Sequence, residues 1–200
     1  VQQQTPDAGV SRFWYDRIGR LVLSQNAKQA ASFSAGGEGP GVTYSYTLYD
    51  HLSRITEAGQ LNNAGSEMNN SISRTPVQLQ NWMNSNASCK KQVTATFYDQ
   101  RAGESYLQKN LLPYIMRQSN LRNRVSFSVF TEAGNLNNYD YAVFYNYDIH
   151  GNIDTILQDY GSAGVMAQQG NRYKRITYQY DLVSGKINRV SYQPRLYDPV

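Results

Sequence analysis

The sequence predicts an all-β fold built from repeated β-hairpins, and three observations support this prediction. The dipeptide Tyr-Asp recurs, aromatic residues alternate with smaller or polar residues before it, and a glycine usually follows within a few residues. Seven Tyr-Asp pairs occur among 17 Tyr residues, whereas a random order would give about one. The pairs begin at residues 15, 49, 98, 139, 147, 180 and 197. The Tyr-Asp pair therefore marks a repeat.

The two clearest copies show how the repeat would make a tight turn. Residues 13–23 and 145–156 each contain alternating aromatics, then Asp-x-x-Gly, then a second short alternating run. This is the pattern of a β-hairpin. The Asp side chain can accept a hydrogen bond from the backbone two residues on, and Gly supplies the positive φ that closes a type I turn with a bulge. Tyr should therefore end the incoming strand, and Asp should start the turn.

Other copies depart from this pattern at the glycine. Ser53 occupies the glycine position after Tyr49-Asp50, which predicts strain or a different turn type. After Tyr180-Asp181 the glycine comes one residue later, which predicts a longer loop. Gly103 shows the same lag after Tyr98-Asp99, and no clean strand follows, so we expect this strand to run into an insertion.

The pair Tyr139-Asp140 lacks a turn glycine, and we interpret it as a chance match. The five good copies, from Asp16 to Asp181, are separated by 33 to 49 residues, and units of this length must stack on neighbours to bury a face. The predicted structural turn residues are Tyr15, Asp16, Gly19, Tyr49, Asp50, Tyr98, Asp99, Tyr147, Asp148, Gly151, Asn152, Tyr180, Asp181 and Gly185.

Two stretches lack the hairpin pattern and predict insertions at about residues 60–91 and 100–123. The first contains a helical candidate at residues 75–83, with Thr75 as its cap and Trp82 on its apolar face. We expect this helix to pack against the sheet through Trp82. The chain as a whole is predicted to be all-β with one or two short helical insertions.

Composition excludes several classes of function. The net charge is +4, and basic residues are adjacent only at Lys90-Lys91 and Lys174-Arg175, so we expect no nucleic-acid partner. No run of about 18 apolar residues occurs, so we expect no membrane span. Cys89 is the single cysteine, which excludes an intrachain disulfide. The chain begins at Val1 without a signal-peptide pattern and ends on a further Tyr-Asp pair, so we expect it to be a segment of a longer protein.

The sequence shows no convergent set of ionisable residues, so we predict no enzyme activity and no catalytic, cofactor-binding or metal-binding residues. His51 and His150 lie inside predicted turns, where other copies carry residues that do not bind metals. The repeat Asp residues could suggest a glycosidase with paired carboxylates, but each has a structural role at its turn. The many tyrosines could stack on sugars, which makes glycan binding the alternative function. Packing of neighbouring rings explains the same tyrosines.

The turn motifs resemble those of the RHS/YD-repeat family. The resemblance rests on the Tyr-Asp-x-x-Gly-Arg/Asn units taken together with residues 120–125, 147–152 and 180–187, and it extends from about Arg12 to Gln193. The pattern is most similar to the large RHS-repeat proteins of Bacteroidota. Polymorphic toxins, toxin-complex shells and teneurins belong to the same group.

The resemblance implies that residues 1–200 are a segment of a single β-hairpin strip that spirals into a hollow shell. In the family the shell encloses a C-terminal cargo, often a toxin, and the protein is secreted or displayed at the cell surface. The family's Asp-, Pro- and Gly-rich core segment and a toxin domain are absent from this sequence, so no residue is assigned to self-cleavage. The expected function is that of a structural wall segment, with a surface adhesin or glycan-binding module as the alternative. The expected partners are further repeats of the same polypeptide, an enclosed toxin and surface glycans.

Overall fold

The computed structural model describes residues 1–7, 9–31, 42–64, 66–103, 117–161 and 164–193. Within these ranges, eleven strands are hydrogen-bonded in chain order into an antiparallel sheet, which confirms the all-β prediction. The strands are β1 (Gln2–Thr5), β2 (Gly9–Tyr15), β3 (Leu21–Gln25), β4 (Val42–Tyr49), β5 (Ile55–Ala64), β6 (Lys90–Tyr98), β7 (Val125–Thr131), β8 (Tyr141–Tyr147), β9 (Ile153–Asp159), β10 (Tyr173–Tyr180) and β11 (Ile187–Tyr192).

Five strands end on the tyrosine of a Tyr-Asp pair, and the next strand of the same hairpin begins after the turn. We number the hairpins in chain order. The first is β2–β3, the second β4–β5, the fourth β8–β9 and the fifth β10–β11. In the third, β6–β7, a long stretch of chain separates the two strands.

The described ranges contain more helix than the sequence predicted. Four short α-helices are present, namely α1 (Ala27–Ala31), α2 (Asn70–Arg74), α3 (Pro76–Ser85) and α4 (Val165–Gln168), with 3-10 turns at Ala87–Cys89 and Leu136–Asn138. Helix α1 was not predicted, although its start has a recognisable sequence signal. Asn26 Oδ1 accepts a hydrogen bond from Gln29 N at 2.8 Å, and Gln29 Oε1 accepts one from Asn26 N at 2.9 Å. This reciprocal pair is a capping box.

The first insertion differs from its predicted outline. Strand β5 continues to residue 64 because Leu61 is fully buried and pairs with Tyr44, so the insertion starts later than residue 60. Helix α3 covers the predicted stretch and has a proline at its start, but the Thr75 side chain makes no capping hydrogen bond. Trp82 is buried, as expected from its place on the apolar face.

The chain divides into two compact units, which are Val1–Thr94 with Glu132–Gly134, and Ala95–Thr131 with Asn135–Val200. In the first unit, the core forms between the strands and the helices of the first insertion. The Trp14 and Tyr44 rings meet edge to face at 5.5 Å, and Tyr44 meets Trp82 at 5.8 Å. The buried core residues are Trp14, Val22, Leu23, Tyr44, Tyr46, Leu61, Met68, Trp82 and Met83.

The second unit has a separate core built on phenylalanine rings. Phe97 and Phe127 stack at 4.3 Å between ring centroids, and Phe127 and Phe144 at 5.5 Å. The buried members of this core are Ala102, Phe127, Val129, Tyr139, Ala142, Phe144 and Leu157. Phenylalanine rings on neighbouring strands therefore pack on one another.

Some sequence predictions concern segments outside the described residues. These are a glycine-rich stretch at 36–41, whose composition predicts a flexible turn, most of the second insertion, and the last Tyr-Asp pair at 197–198.

The first Asp-x-x-Gly segment forms a tight turn with a bulge. Gly19 N donates to Asp16 O at 3.2 Å, and Asp16 N donates to Arg20 O at 2.9 Å. Gly19 has a φ of 87°, and the strand register shifts between Trp14 and Tyr15. The fourth hairpin repeats both hydrogen bonds and the bulge. The fifth also has the bulge, with a turn one residue longer, so Gly185 N donates to Asp181 O.

Ser53 occupies the glycine position of the second hairpin without changing the turn. Ser53 N donates to Asp50 O at 3.1 Å, which matches the glycine bond in the other turns. The φ of Ser53 is 62°, a region that disfavours side chains with a Cβ atom. The turn therefore keeps its type and carries backbone strain.

Replacing Ser53 with glycine should relieve this strain and, even after loss of the exposed hydrogen bond from Arg20 Nη1 to Ser53 Oγ, raise the free energy of unfolding by about 0.5–1 kcal/mol. The matched control is Gly19→Ala, because an added Cβ at Gly19 meets no atom within 4 Å and changes only the backbone preference. This variant should lose about 1–2 kcal/mol. Urea unfolding of the three proteins measures both effects. Equal stabilities would show that the left-handed conformation carries no strain at this turn.

Candidate functional site

The aspartate of each regular repeat holds its turn together through both carboxylate oxygens. In the first hairpin, Asp16 Oδ1 accepts hydrogen bonds from Ile18 N at 3.0 Å and Arg20 N at 2.9 Å, and its Oδ2 accepts one from Arg20 Nε at 2.7 Å. Asp50 makes the same three bonds in the second hairpin. Asp148 makes them in the fourth, where Asn152 provides the side-chain donor. The sequence predicted the hydrogen bond from the backbone N–H two residues after the aspartate. The bonds from the backbone and side chain of the residue four positions after it were not predicted.

The third hairpin makes an equivalent turn from two separate pieces of chain. Asp99 N donates to Arg124 O at 3.2 Å, and Asp99 Oδ1 accepts from Asn123 N at 2.6 Å. Asn123 has a φ of 58° and takes the place that Gly19 holds in the first turn. The sequence drew attention to Gly103, but the residue that closes this turn is Asn123. Asparagine tolerates the left-handed region better than other residues with a side chain.

The repeat tyrosines connect successive hairpins. Tyr49 donates its hydroxyl to Leu21 O at 2.9 Å, Tyr147 to Val125 O at 2.8 Å, and Tyr180 to Ile153 O at 2.9 Å. In each case the acceptor is the first residue of the outgoing strand in the preceding hairpin. We call this contact the cross-repeat hydrogen bond. Through this bond, the start of the outgoing strand in one hairpin holds the tyrosine of the next hairpin.

The residue after the turn glycine position strengthens two of these junctions. The Arg20 guanidinium lies 4.7 Å from the centroid of the Tyr49 ring and donates to Asp50 O at 3.1 Å. The Arg124 guanidinium lies 5.3 Å from the centroid of the Tyr147 ring. A guanidinium above an aromatic ring is attracted by the electrons of the ring. Arg20 therefore binds the aspartate of its own turn and also contacts the next hairpin.

The turn geometry also changes the acidity of the repeat aspartates. Burial acts to raise the pKa of Asp16, Asp50 and Asp148, but hydrogen bonds from the turn outweigh it and lower the pKa of each below its ordinary value. The backbone N–H of Ser184 is the main cause that lowers the pKa of Asp181. These carboxylates are therefore charged at neutral pH and serve as fixed hydrogen-bond acceptors.

Two further polar clusters were not predicted from the sequence. Asp159 is fully buried and accepts hydrogen bonds from Gly161 N, Tyr139 Oη and two nitrogens of Arg172. Burial and the Asp159 carboxylate raise the pKa of Tyr139. The sequence offered no signal for this cluster, since Tyr139-Asp140 reads as a failed copy of the repeat and Arg172 is remote in the chain.

The second cluster lies in the first unit. Glu57 Oε1 accepts hydrogen bonds from Tyr46 Oη at 2.6 Å and Lys90 Nζ at 2.5 Å. Burial, followed by the hydrogen bond to Glu57, raises the pKa of Tyr46. In both clusters the charged side chains are paired, and they join neighbouring segments of the chain.

The end of the second insertion is attached to the sheet by side-chain amides. Gln118 is buried, accepts from Ala102 N at 2.8 Å and donates to Ser126 O at 2.7 Å. Asn120 Nδ2 donates to Tyr147 O at 2.8 Å. Residues 118 and 120 are therefore hydrogen-bonded to strands of the sheet, although nothing in their sequence pattern predicts this.

The structure places the other candidate residues apart. His51 and His150 both lie in turns of different hairpins, and His150 N donates to Asp148 Oδ1. Over the described ranges, no group of three or more His, Cys, Asp or Glu side chains could hold a metal ion. In the same ranges, no helix has the length and apolar character needed to cross a membrane. Trp82, an aromatic of the first insertion, is buried against Tyr44 and presents no surface on which a sugar could stack.

Loss of the tyrosine hydroxyl should weaken the junction between hairpins. Tyr147→Phe keeps the ring and leaves Val125 O without its donor, so we expect the free energy of unfolding to fall by about 1 kcal/mol. Tyr49→Phe and Tyr180→Phe should behave alike. Tyr15→Phe is the matched control, because the Tyr15 hydroxyl makes no hydrogen bond to any described residue. Urea unfolding tests this, and an equal loss in the control would contradict it.

The lowered pKa values of the turn aspartates predict acid sensitivity. A folded pKa below the unfolded value adds stability that is complete above the unfolded value and is lost as the pH falls through the folded one. We therefore expect the four carboxyl groups to titrate below the ordinary 3.8 of aspartate and the free energy of unfolding to fall in that range. Carbon-13 NMR titration of these carboxyl groups measures the midpoints. Midpoints at or above 3.8 would contradict the role given to the turn hydrogen bonds.

Comparisons with protein-family models and with curated proteins identify no relative of this chain. No family model matches the chain, and a search of curated proteins finds no match. The resemblance to the RHS/YD-repeat family therefore rests on the turn motifs of the sequence, and function is argued from the geometry of the turns.

Proposed function

We propose that this chain is a structural wall segment of a large secreted or surface RHS-repeat protein that encloses a C-terminal cargo such as a toxin. The observation that carries the proposal is the cross-repeat hydrogen bond, which recurs with the same donor and acceptor positions at three junctions. The fourth hairpin both offers this contact through Tyr147 and receives it at Ile153 O, and a contact of this kind can be continued over further repeats. The expected partners are thus further repeats of the same polypeptide.

A wall must also resist local opening, because a single open hairpin would expose what it encloses. Here the regular turns satisfy their own backbone through an aspartate, three junctions are closed by a tyrosine hydroxyl, and two of these also have an arginine over the tyrosine ring. The polar clusters around Asp159 and Glu57 add charge pairs inside the two units. These features support a role in which rigidity is the function and no residue performs chemistry.

The adhesin or glycan-binding alternative has less support. It drew on the abundant aromatic residues and on the insertions. Trp82 packs inside the first core, and the repeat tyrosines use their hydroxyls to join hairpins. These hydroxyls are therefore committed to the junctions between hairpins.

Electron cryo-microscopy of the natural full-length polypeptide tests the wall proposal. We expect the hairpins to continue into a closed, curved sheet around an interior that holds the C-terminal region. Limited proteolysis adds a functional readout, since the C-terminal region should be protected in the intact protein. Tyr147→Phe together with Tyr180→Phe should make it cleavable at a lower protease concentration, whereas Tyr15→Phe should not. A solid domain with no enclosed volume would overturn the proposal.

A further inference from the structure

A groove in the second unit lies between the turns of the fourth and fifth hairpins. Its volume is about 520 Å³, enough for a long side chain. Three carboxylates and two tyrosine rings line it, with His150 and Asn152 at its side. The acidic and aromatic residues are Asp148, Asp154, Asp181, Tyr178 and Tyr180.

In the first unit, the equivalent position between the turns of the first and second hairpins is occupied by the guanidinium group of Arg20. Arg20 Nε donates to Asp16 Oδ2 at 2.7 Å, and Arg20 Nη1 donates to Asp50 O at 3.1 Å. The guanidinium also lies over the Tyr49 ring at 4.7 Å. Four groups of two successive turns thus surround one guanidinium: the carboxylate of the first turn, and the tyrosine ring, the backbone carbonyl and the Ser53 hydroxyl of the second.

The second unit repeats three of these four groups around a different residue, and Gly185 takes the place of Ser53. Asn152 stands where Arg20 does, because each follows its turn aspartate by four residues and donates to Oδ2 of that aspartate. Asparagine is shorter than arginine and uncharged. The Asp148 carboxylate, the Tyr180 ring and the carbonyl of Asp181 correspond to the groups that Arg20 meets, and the groove opens beside them.

The electrostatics of the groove favour a cation. The pKa values of Asp148 and Asp181 are lowered, so both are charged at neutral pH. Asp154 adds a third carboxylate, which accepts two hydrogen bonds from Asn146 Nδ2 and forms part of the wall. His150 is the basic residue that lines the groove, and its side chain is 55% exposed.

We propose that this groove binds the guanidinium group of an arginine side chain from a partner polypeptide. The planar guanidinium fits the set of groups because it can donate to a carboxylate and a carbonyl while its face lies on a tyrosine ring. The arrangement of Arg20 in the first unit shows that two successive turns of this chain hold such a group. The inference goes beyond the wall function, since it gives the wall a specific attachment point.

Titration of the full chain with N-acetylarginine amide, followed by nitrogen-15 NMR, tests this proposal. We expect saturable shifts at the amides of Asn152, Val183 and Ser184. N-acetylcitrulline amide has nearly the same shape without the charge, and it should bind at least about tenfold more weakly because the charge-assisted contacts are lost. Equal responses to both compounds, or no saturable response to the arginine compound, would overturn the proposal.

Two variants at one position locate the binding. Asn152→Arg should place a guanidinium of the chain in the groove and abolish the response to N-acetylarginine amide. Asn152→Gln, the matched control, keeps an amide and should retain the response. Unchanged binding by Asn152→Arg would overturn the assignment of the groove. These measurements do not depend on an enclosed cargo, so a failure here leaves the wall proposal standing, and a failure of the wall proposal leaves this one standing.

Discussion

The structure depends on the carboxylate that begins each turn. A hairpin turn leaves several backbone N–H groups without partners in the sheet, and buried or half-buried N–H groups need acceptors. Asp16, Asp50 and Asp148 each accept two of them through one oxygen and hold a side chain through the other. The turn is thereby fixed without help from a core. Because the turn is rigid, the first carbonyl of the outgoing strand has a fixed position. It can therefore accept the hydroxyl hydrogen bond from the tyrosine of the next hairpin.

This constraint explains why the turn tolerates poor residues at the glycine position. Ser53 and Asn123 both adopt positive φ, and each does so next to an aspartate that holds the surrounding backbone. Strain of this kind persists when neighbouring bonds determine the conformation. The third hairpin is the extreme case, since its turn forms although more than twenty residues separate Asp99 from Asn123 in the sequence. The aspartate, more than the glycine, is thus the residue that the turn requires.

Sequence patterns predicted the parts of the fold that are local. Period-two alternation and the Tyr-Asp pair place the strand ends because side-chain direction and turn chemistry are encoded within a few residues. Helix α1 was equally local and could have been predicted from the capping box at Asn26 and Gln29. The start of the first insertion was misjudged because Leu61 lies among polar residues, and its burial comes from pairing with another strand.

The contacts that matter most for function join residues remote in the chain, and no local pattern contains them. Tyr180 meets Ile153 across 27 residues, and Arg20 meets Asp50 across 30. A periodic sequence does suggest where to look, since the position four residues after the turn aspartate is Arg20, Arg54 and Asn152 in the first, second and fourth hairpins. The aspartate holds the turn, and the hydroxyls of Tyr49, Tyr147 and Tyr180 hold the junctions. The fourth position can vary, because the aspartate accepts a side-chain donor from arginine or asparagine alike. A repeat strip of this kind can therefore change its surface from one junction to the next while its backbone stays the same.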